Sequence, residues 1–320
     1  MNFDLTELDK EQTERLLQVS NLTVFTERFS DIYKAIKSQH SLSVLNNFKS
    51  RANNIMIYGP SGAGKSTIVE YYRDKYPERE IETEDKSFSS KPVLYVSLPN
   101  DKNPKAAPRA ILHSLGAPPR RSTESASELN AAFKDLAEKT GVEVIIIDEW
   151  HNAFKGGTKN DIVRAATWVK TVINDTKRLV VLVGLEDECK TLLDMDPEVE
   201  TRFPRRFKVD FYDENSFSQW LALLDSIDEK LPFSKRSNLA DQELAVRLLI
   251  AAEGRLSYLM ERIIQPAAYT AIIEDTDYVT IDKLFEASQK HLELPDNKNP
   301  LNLASVPLES LKKLKIGQAK

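Results

Sequence analysis

Gly59-Pro60-Ser61-Gly62-Ala63-Gly64-Lys65-Ser66 follows the apolar run Ile55-Met56-Ile57-Tyr58 and leads into Thr67-Ile68-Val69-Glu70-Tyr71-Tyr72. The order is strand, glycine-rich turn, helix, with G-x-x-x-x-G-K-[ST] at the turn. Glycines let successive main-chain N–H groups curl round a phosphate without Cβ clashes. The helix N-terminus places partial positive charge at the same point. Lys65 is positioned to reach the β- and γ-phosphates of ATP, and the Ser66 hydroxyl to ligate Mg²⁺. Residues 59–67 are therefore the expected nucleotide-binding segment. A plain glycine turn before a surface helix would not require Lys-Ser in this register.

Val142-Glu143-Val144-Ile145-Ile146-Ile147-Asp148-Glu149 is a continuous apolar run ending in two carboxylates. Without alternation it reads as a strand buried on both faces, as parallel sheets require. Open α/β sheets bind ligands outside the carboxyl ends of their strands, so these acids are expected beside the phosphate turn. Asp148 would hold the Mg²⁺ water shell. Glu149 would act as general base on the attacking water.

Composition agrees with a P-loop enzyme. The chain has 320 residues, 41% of them hydrophobic, enough for a sizeable core and a division into two domains. The one cysteine, Cys189, excludes a disulfide framework. With no signal peptide and no long apolar stretch, a cytoplasmic location without membrane contact is expected. The net charge of −5 excludes a broadly basic nucleic-acid coat but leaves room for a local basic track.

Along the chain, 1–50 reads as a polar helical extension and 51–212 as an α/β nucleotide-binding domain. Its strands are expected at 54–58, 92–98, 142–148, 179–183 and 207–211. Helices are expected at 65–75, 105–115, 126–139, 159–174 and 186–193, with 77–91 as an exposed loop. This is a five-stranded parallel sheet in three layers. Helices at 216–227, 240–252, 256–273 and 281–292 make 213–292 a small all-helical lid. Residues 293–320, with Lys312, Lys313, Lys315 and Lys320, read as a flexible tail.

A P-loop α/β core followed by a four-helix lid resembles an AAA+ ATPase. Ile146-Ile147-Asp148-Glu149-Trp150-His151-Asn152, then Gly156-Gly157-Thr158, is similar to the acidic motif of the TniB/TnsC transposition ATPases. Leu115-Gly116-Ala117-Pro118 before a long helix matches the same family, as does the acidic residue ahead of Arg-Phe in Glu200-Thr201-Arg202-Phe203. The family's Val-Gly-Thr reads Val183-Gly184-Leu185 here, and leucine has no donor or acceptor with which to sense a γ-phosphate. Either Glu186 or Asp187 assumes that role, or hydrolysis is slow.

The resemblance implies further roles. Arg202 and Arg205 are similar to arginine fingers that reach a neighbour's γ-phosphate in trans. The alternative for them is a solvated basic turn. Arg255 falls where the lid's sensor arginine sits, or is an ordinary helix-start arginine. His151 couples nucleotide state to its loop or bonds a carboxylate structurally. The family's assembly is a head-to-tail ring or filament of identical subunits round duplex DNA, recruiting a transposase and a target-selection protein. Arg120, Arg121, Thr123, Lys155 and Lys159 are the candidate contacts to DNA phosphates, against an alternative as solvated loops. A second reading is an AAA+ remodeller or signalling switch acting on protein. The polar, proline-bounded 99–105 loop disfavours a threading pore for it.

Overall fold

The computed structural model describes residues 9–82, 87–101, 103, 105–121, 123–154 and 158–307. The chain divides into two compact units, Arg28–Val209 and a second that combines the N-terminal residues to Glu27 with everything from Asp210 onward.

In chain order, the first elements are α1 (Lys10–Ser20), α2 (Glu27–Leu45), β1 (Ile55–Tyr58), α3 (Lys65–Asp74), β2 (Arg79–Glu82), β3 (Ser87–Ser90) and β4 (Val93–Ser97). Next come α4 (Ala106–Ser114), α5 (Ala126–Lys139), β5 (Val144–Asp148), a 3₁₀ turn (Trp150–Ala153), α6 (Lys159–Thr176) and β6 (Leu179–Gly184). The α/β unit closes with α7 (Glu186–Met195), α8 (Pro197–Arg202) and β7 (Arg205–Lys208). The helical unit contributes α9 (Phe217–Lys230), α10 (Gln242–Ala251), α11 (Gln265–Ile273) and α12 (Ile281–Leu292). A π-helical turn, Tyr258–Ile264, leads into α11.

The parallel sheet runs β4-β5-β6-β1-β7. Its three central strands, β5, β6 and β1, are almost wholly buried, so their sequences show apolar runs rather than alternation. The next strand of this sheet in chain order after β1, β4, therefore lies three places away, and β5 and β6 fill the gap. That order puts the carboxyl ends of β5, β6 and β1 side by side.

The expected last strand, 207–211, is found two residues earlier. β7 pairs only with β1 and exposes Arg205 and Arg206, so it carries little apolar signal. The apolar residues after it serve other ends. The Val209 N–H closes on the Tyr58 carbonyl at 2.8 Å, while Tyr212 packs against Trp220 in the helical unit. The segment 77–91, expected as an exposed loop, contains the antiparallel pair β2–β3.

The N-terminal extension does not stay one piece. α2 buries Phe29, Ile32 and Ile36 in the α/β unit, with the Phe29 ring edge-on to Tyr71 of α3. α1 lies against α11 and places Val19 in the helical core. The first part of the expected tail is also ordered. Leu301 and Val306 are buried, and Arg247 donates to the carbonyls of Pro300 (2.6 Å) and Val306 (2.9 Å). Asn299 donates to the Ser288 hydroxyl at 2.8 Å. The lysines 312–320 lie outside the described residues. No described helix is long and apolar enough to cross a membrane.

Candidate active site

β1 ends against the phosphate turn, and its geometry depends on glycine at two points. A Cβ on Gly59 would stand 2.0 Å from the Val209 carbonyl oxygen, so no side chain fits where β7 crosses. Gly64 caps α3 with φ 93°, a left-handed conformation that leaves the first N–H groups of the helix facing the turn. Ser66 is half-buried and Thr67 exposed at the start of α3, while Ala63 is buried beneath the turn.

Lys65 is buried, and its ammonium donates to the carbonyls of Gly59 (2.9 Å) and Pro60 (2.7 Å). Among the described residues no carboxylate lies within ion-pair distance of it. Burial holds its pKa below the ordinary lysine value, opposed by the more distant charges of Glu149 and Asp148 and by Cys189. A buried cation satisfied only by the carbonyls of its own turn is a site prepared for an anion.

Asp148 ends β5 in a buried position. Its Oδ1 accepts the Glu149 N–H at 2.7 Å and its Oδ2 accepts the Tyr95 hydroxyl at 2.9 Å. Tyr95 stands on β4 and lies 3.3 Å from Glu70 of α3 as well. Burial, followed by the Asp148 charge, pushes its hydroxyl pKa up, so it remains a donor. Glu149 turns the chain with φ 51° and points its carboxylate at His151 Nε2, 3.2 Å away. The following turn is anchored by Trp150, fully buried and stacked on Trp168, and by Asn152, which donates to the Leu98 carbonyl at 3.0 Å. Cys189, on α7, is buried, and that burial pushes its thiol up to about 12. It is inert packing. Leu185 stands at the N-cap of α7, and Glu186 beside it is engaged by Lys190 (2.6 Å) and Lys208 (3.2 Å).

The structure thus brings together the phosphate turn, Lys65, Ser66, Asp148 and Glu149. Tyr95 is the member that sequence reading missed. A tyrosine within an apolar strand gives no sign of the face it occupies until β4 is placed beside β5.

The two expected finger arginines separate. Arg202 is buried, and its guanidinium is held by Asn174 of α6 and Glu198 of α8. Its carbonyl accepts from Asn54, whose other amide atom accepts the Val180 N–H. Arg202 therefore ties α8 to α6 and the sheet, and to reach a neighbour its guanidinium would have to give up both partners. Arg205 is exposed on the edge strand with no ion pair among the described residues. Arg206 is folded back on Glu200 and the Phe203 carbonyl.

In the helical unit, Arg255 follows Gly254. It pairs with Glu253 at 3.0 Å and lies over the rings of Tyr258 and Phe211. Of the candidate DNA contacts, Arg120, Arg121 and Thr123 are exposed in the α4–α5 loop, and Lys159 is exposed at the start of α6. Arg120 faces Glu124 at 3.4 Å, and the Arg121 carbonyl accepts from Arg109 at 3.3 Å. Lys155 lies outside the described residues.

The family model described as Bacterial TniB protein matches residues 23–212. The ORC1-type DNA replication protein 8 of Haloarcula marismortui is 29% identical over 162 residues, which are 48% of this chain and 35% of that protein. The chaperone protein ClpB of Aquifex aeolicus is 25% identical over 198 residues, 61% of this chain and 18% of its own length. The chain thus spans about a third or less of the length of the curated relatives it matches. Among solved structures, the Aeropyrum pernix ORC2 protein in its ADPNP–ADP complexes has a TM-score of 0.60 at 14% identity, covering 93% of this chain and 74% of that one. The Aeropyrum pernix ORC1 protein in complex with DNA gives 0.58 at 14%, covering 86% and 69%. At such identity the likeness is one of fold, the AAA+ core followed by a helical region. With the family model covering more than half the chain, this protein belongs to the TniB family of AAA+ ATPases.

Proposed function

We propose that this protein is an ATP-dependent regulator of DNA transposition. It assembles head to tail on duplex DNA, hydrolyses ATP, and links a target-selection protein to the transposase. The observation that carries the reading is the buried Lys65 ammonium, without a carboxylate partner among the described residues, beside the Asp148–Glu149 strand end in a TniB-family chain.

In this mechanism the amides of residues 61–66 and Lys65 bind the β- and γ-phosphates. The residues present fit Mg²⁺ held mainly by phosphate and water. Ser66 supplies a hydroxyl, Asp148 keeps free lone pairs on both oxygens, and no all-protein metal cage exists among the described residues. Mg²⁺ would neutralise charge across the phosphates. Glu149 accepts the proton of the attacking water. Arg205 of one subunit completes the site of the next, which makes the contact heterologous. Arg255 takes the role of sensor arginine. The loops carrying Arg120, Arg121, Thr123, Lys155 and Lys159 contact DNA phosphates without reading bases.

Electron microscopy with ATP, with and without duplex DNA, tests assembly and DNA path together. Rings or filaments on DNA that need ATP are expected. Monomers under every condition would overturn the reading, and assembly indifferent to DNA but driven by a protein substrate would favour a remodeller.

A further inference from the structure

The Asp148 carboxylate is gripped from two directions. Its own chain supplies the Glu149 N–H to Oδ1 at 2.7 Å, and the neighbouring strand supplies the Tyr95 hydroxyl to Oδ2 at 2.9 Å. The same hydroxyl lies 3.3 Å from Glu70 Oε1 on α3, the helix that opens with Lys65 and Ser66. The Tyr95 ring is held under the Arg73 guanidinium, 5.1 Å from its centroid. One phenolic proton therefore stands between two carboxylates, one at the acidic strand end and one on the phosphate-turn helix. It can serve only one of them at a time.

We propose that Tyr95 is a positioning residue of the nucleotide site. Its hydroxyl fixes the orientation of Asp148 toward the hydrated divalent cation that accompanies the nucleotide, with Glu70 as the alternative acceptor. This rests on the nucleotide-site reading above. A carboxylate free to rotate would have to be ordered each time the cation's water shell docks, and the phenol removes that cost in advance. Glu70, at 3.3 Å against 2.9 Å for Asp148, is the more distant of the two acceptors. The hydroxyl thus joins β4 to the acidic strand when it serves Asp148 and to α3 when it serves Glu70.

Calorimetric titration of ATP into the full chain, with excess Mg²⁺ and again with EDTA, tests the assignment. Tyr95→Phe deletes the hydroxyl and keeps the ring over which Arg73 lies. The wild-type protein should bind more tightly with Mg²⁺. Tyr95→Phe should lose roughly tenfold of that enhancement, in the range measured for outer partners of metal ligands, while its affinity in EDTA stays within about twofold. Glu70→Gln, which leaves the hydroxyl to Asp148, should keep the enhancement. Full enhancement in Tyr95→Phe would overturn the proposal. So would an equal loss in both conditions, which marks a packing role, or loss of the enhancement in Glu70→Gln. Failure of the wild-type protein to bind ATP in either condition would instead overturn the nucleotide-site reading itself.

Discussion

The Glu149 carboxylate lies 3.2 Å from Nε2 of His151, and the two differ sharply in access to water: the Glu149 side chain is 44% exposed and that of His151 3%. A buried imidazole thus holds an open carboxylate across a left-handed turn. His151→Ala should lower kcat for ATP hydrolysis about tenfold, equivalent to about 1.4 kcal/mol of barrier, with KM changed less than about twofold. His151→Gln, which keeps a donor near the Nε2 position, should recover most of the rate. A rise in KM at unchanged kcat would move His151 from orienting the base to binding nucleotide.

Glu149→Gln should retain ATP binding and accumulate the assembled, DNA-bound form. The amide keeps the shape of the side chain but cannot take a proton from water, a loss of roughly 10²–10⁴-fold in turnover. Steady-state hydrolysis close to wild type in this variant would remove Glu149 from its role.

Arg205 and Arg202 should behave differently although they are three residues apart. Arg205→Ala should fold normally and lose on the order of 10³-fold in hydrolysis, recovered in part when mixed with Lys65→Ala, because each supplies what the other lacks at a shared interface. Arg202→Ala removes the guanidinium that holds Asn174 and one of the two cations on Glu198, and should cost about 2 kcal/mol of stability, seen as a lower Tm. Mixtures of Arg205→Ala and Lys65→Ala that stay at the sum of the two proteins would place the trans arginine elsewhere.

Lys65 gives a pH signature. Burial holds its pKa below 10.5 in the free protein, and bound phosphate would raise it again. Between those two values the complex keeps a proton that the free protein has lost. ATP affinity should therefore fall as pH rises through that alkaline window, with proton uptake on binding. The free protein gains stability across the same window, because the unfolded chain then holds the extra proton. Calorimetry in two alkaline buffers of different ionisation heat measures the uptake, and Lys65→Met should abolish it.

DNA binding should require ATP and weaken steeply with salt. A net charge of −5 disfavours DNA binding by the single chain, whereas the proposed assembly would align the α4–α5 loops into one track. Replacing Arg120 and Arg121 with Ala should reduce binding about equally on unrelated sequences and flatten the log–log salt slope by roughly 2. The Arg120–Glu124 pair is long, at 3.4 Å, and lies at the surface with its Arg end exposed, so it offers little resistance to that transfer. A sequence-selective loss would mean base readout instead.

The amino-acid order by itself determined the phosphate turn, the acidic strand and the alternation of strands with helices. Those features are local: glycines at fixed offsets, runs of β-branched residues, carboxylates at a strand end. They mark Lys65, Ser66, Asp148 and Glu149 as members of one site, which the sheet order β5-β6-β1 then assembles. Other residues took their meaning from partners distant in sequence. Tyr95 joins the site because β4 lies beside β5, and Arg202 is drawn inward by Asn174 of α6 and Glu198 of its own helix. α2 and residues 299–306 look polar or loose in the sequence. Each is nevertheless held by a few buried side chains, Phe29 and Ile36 in one case, Leu301 and Val306 in the other. Periodicity reports which face of an element is apolar; only packing decides what that face meets, and hence which polar side chains are drawn into the core or left free to act.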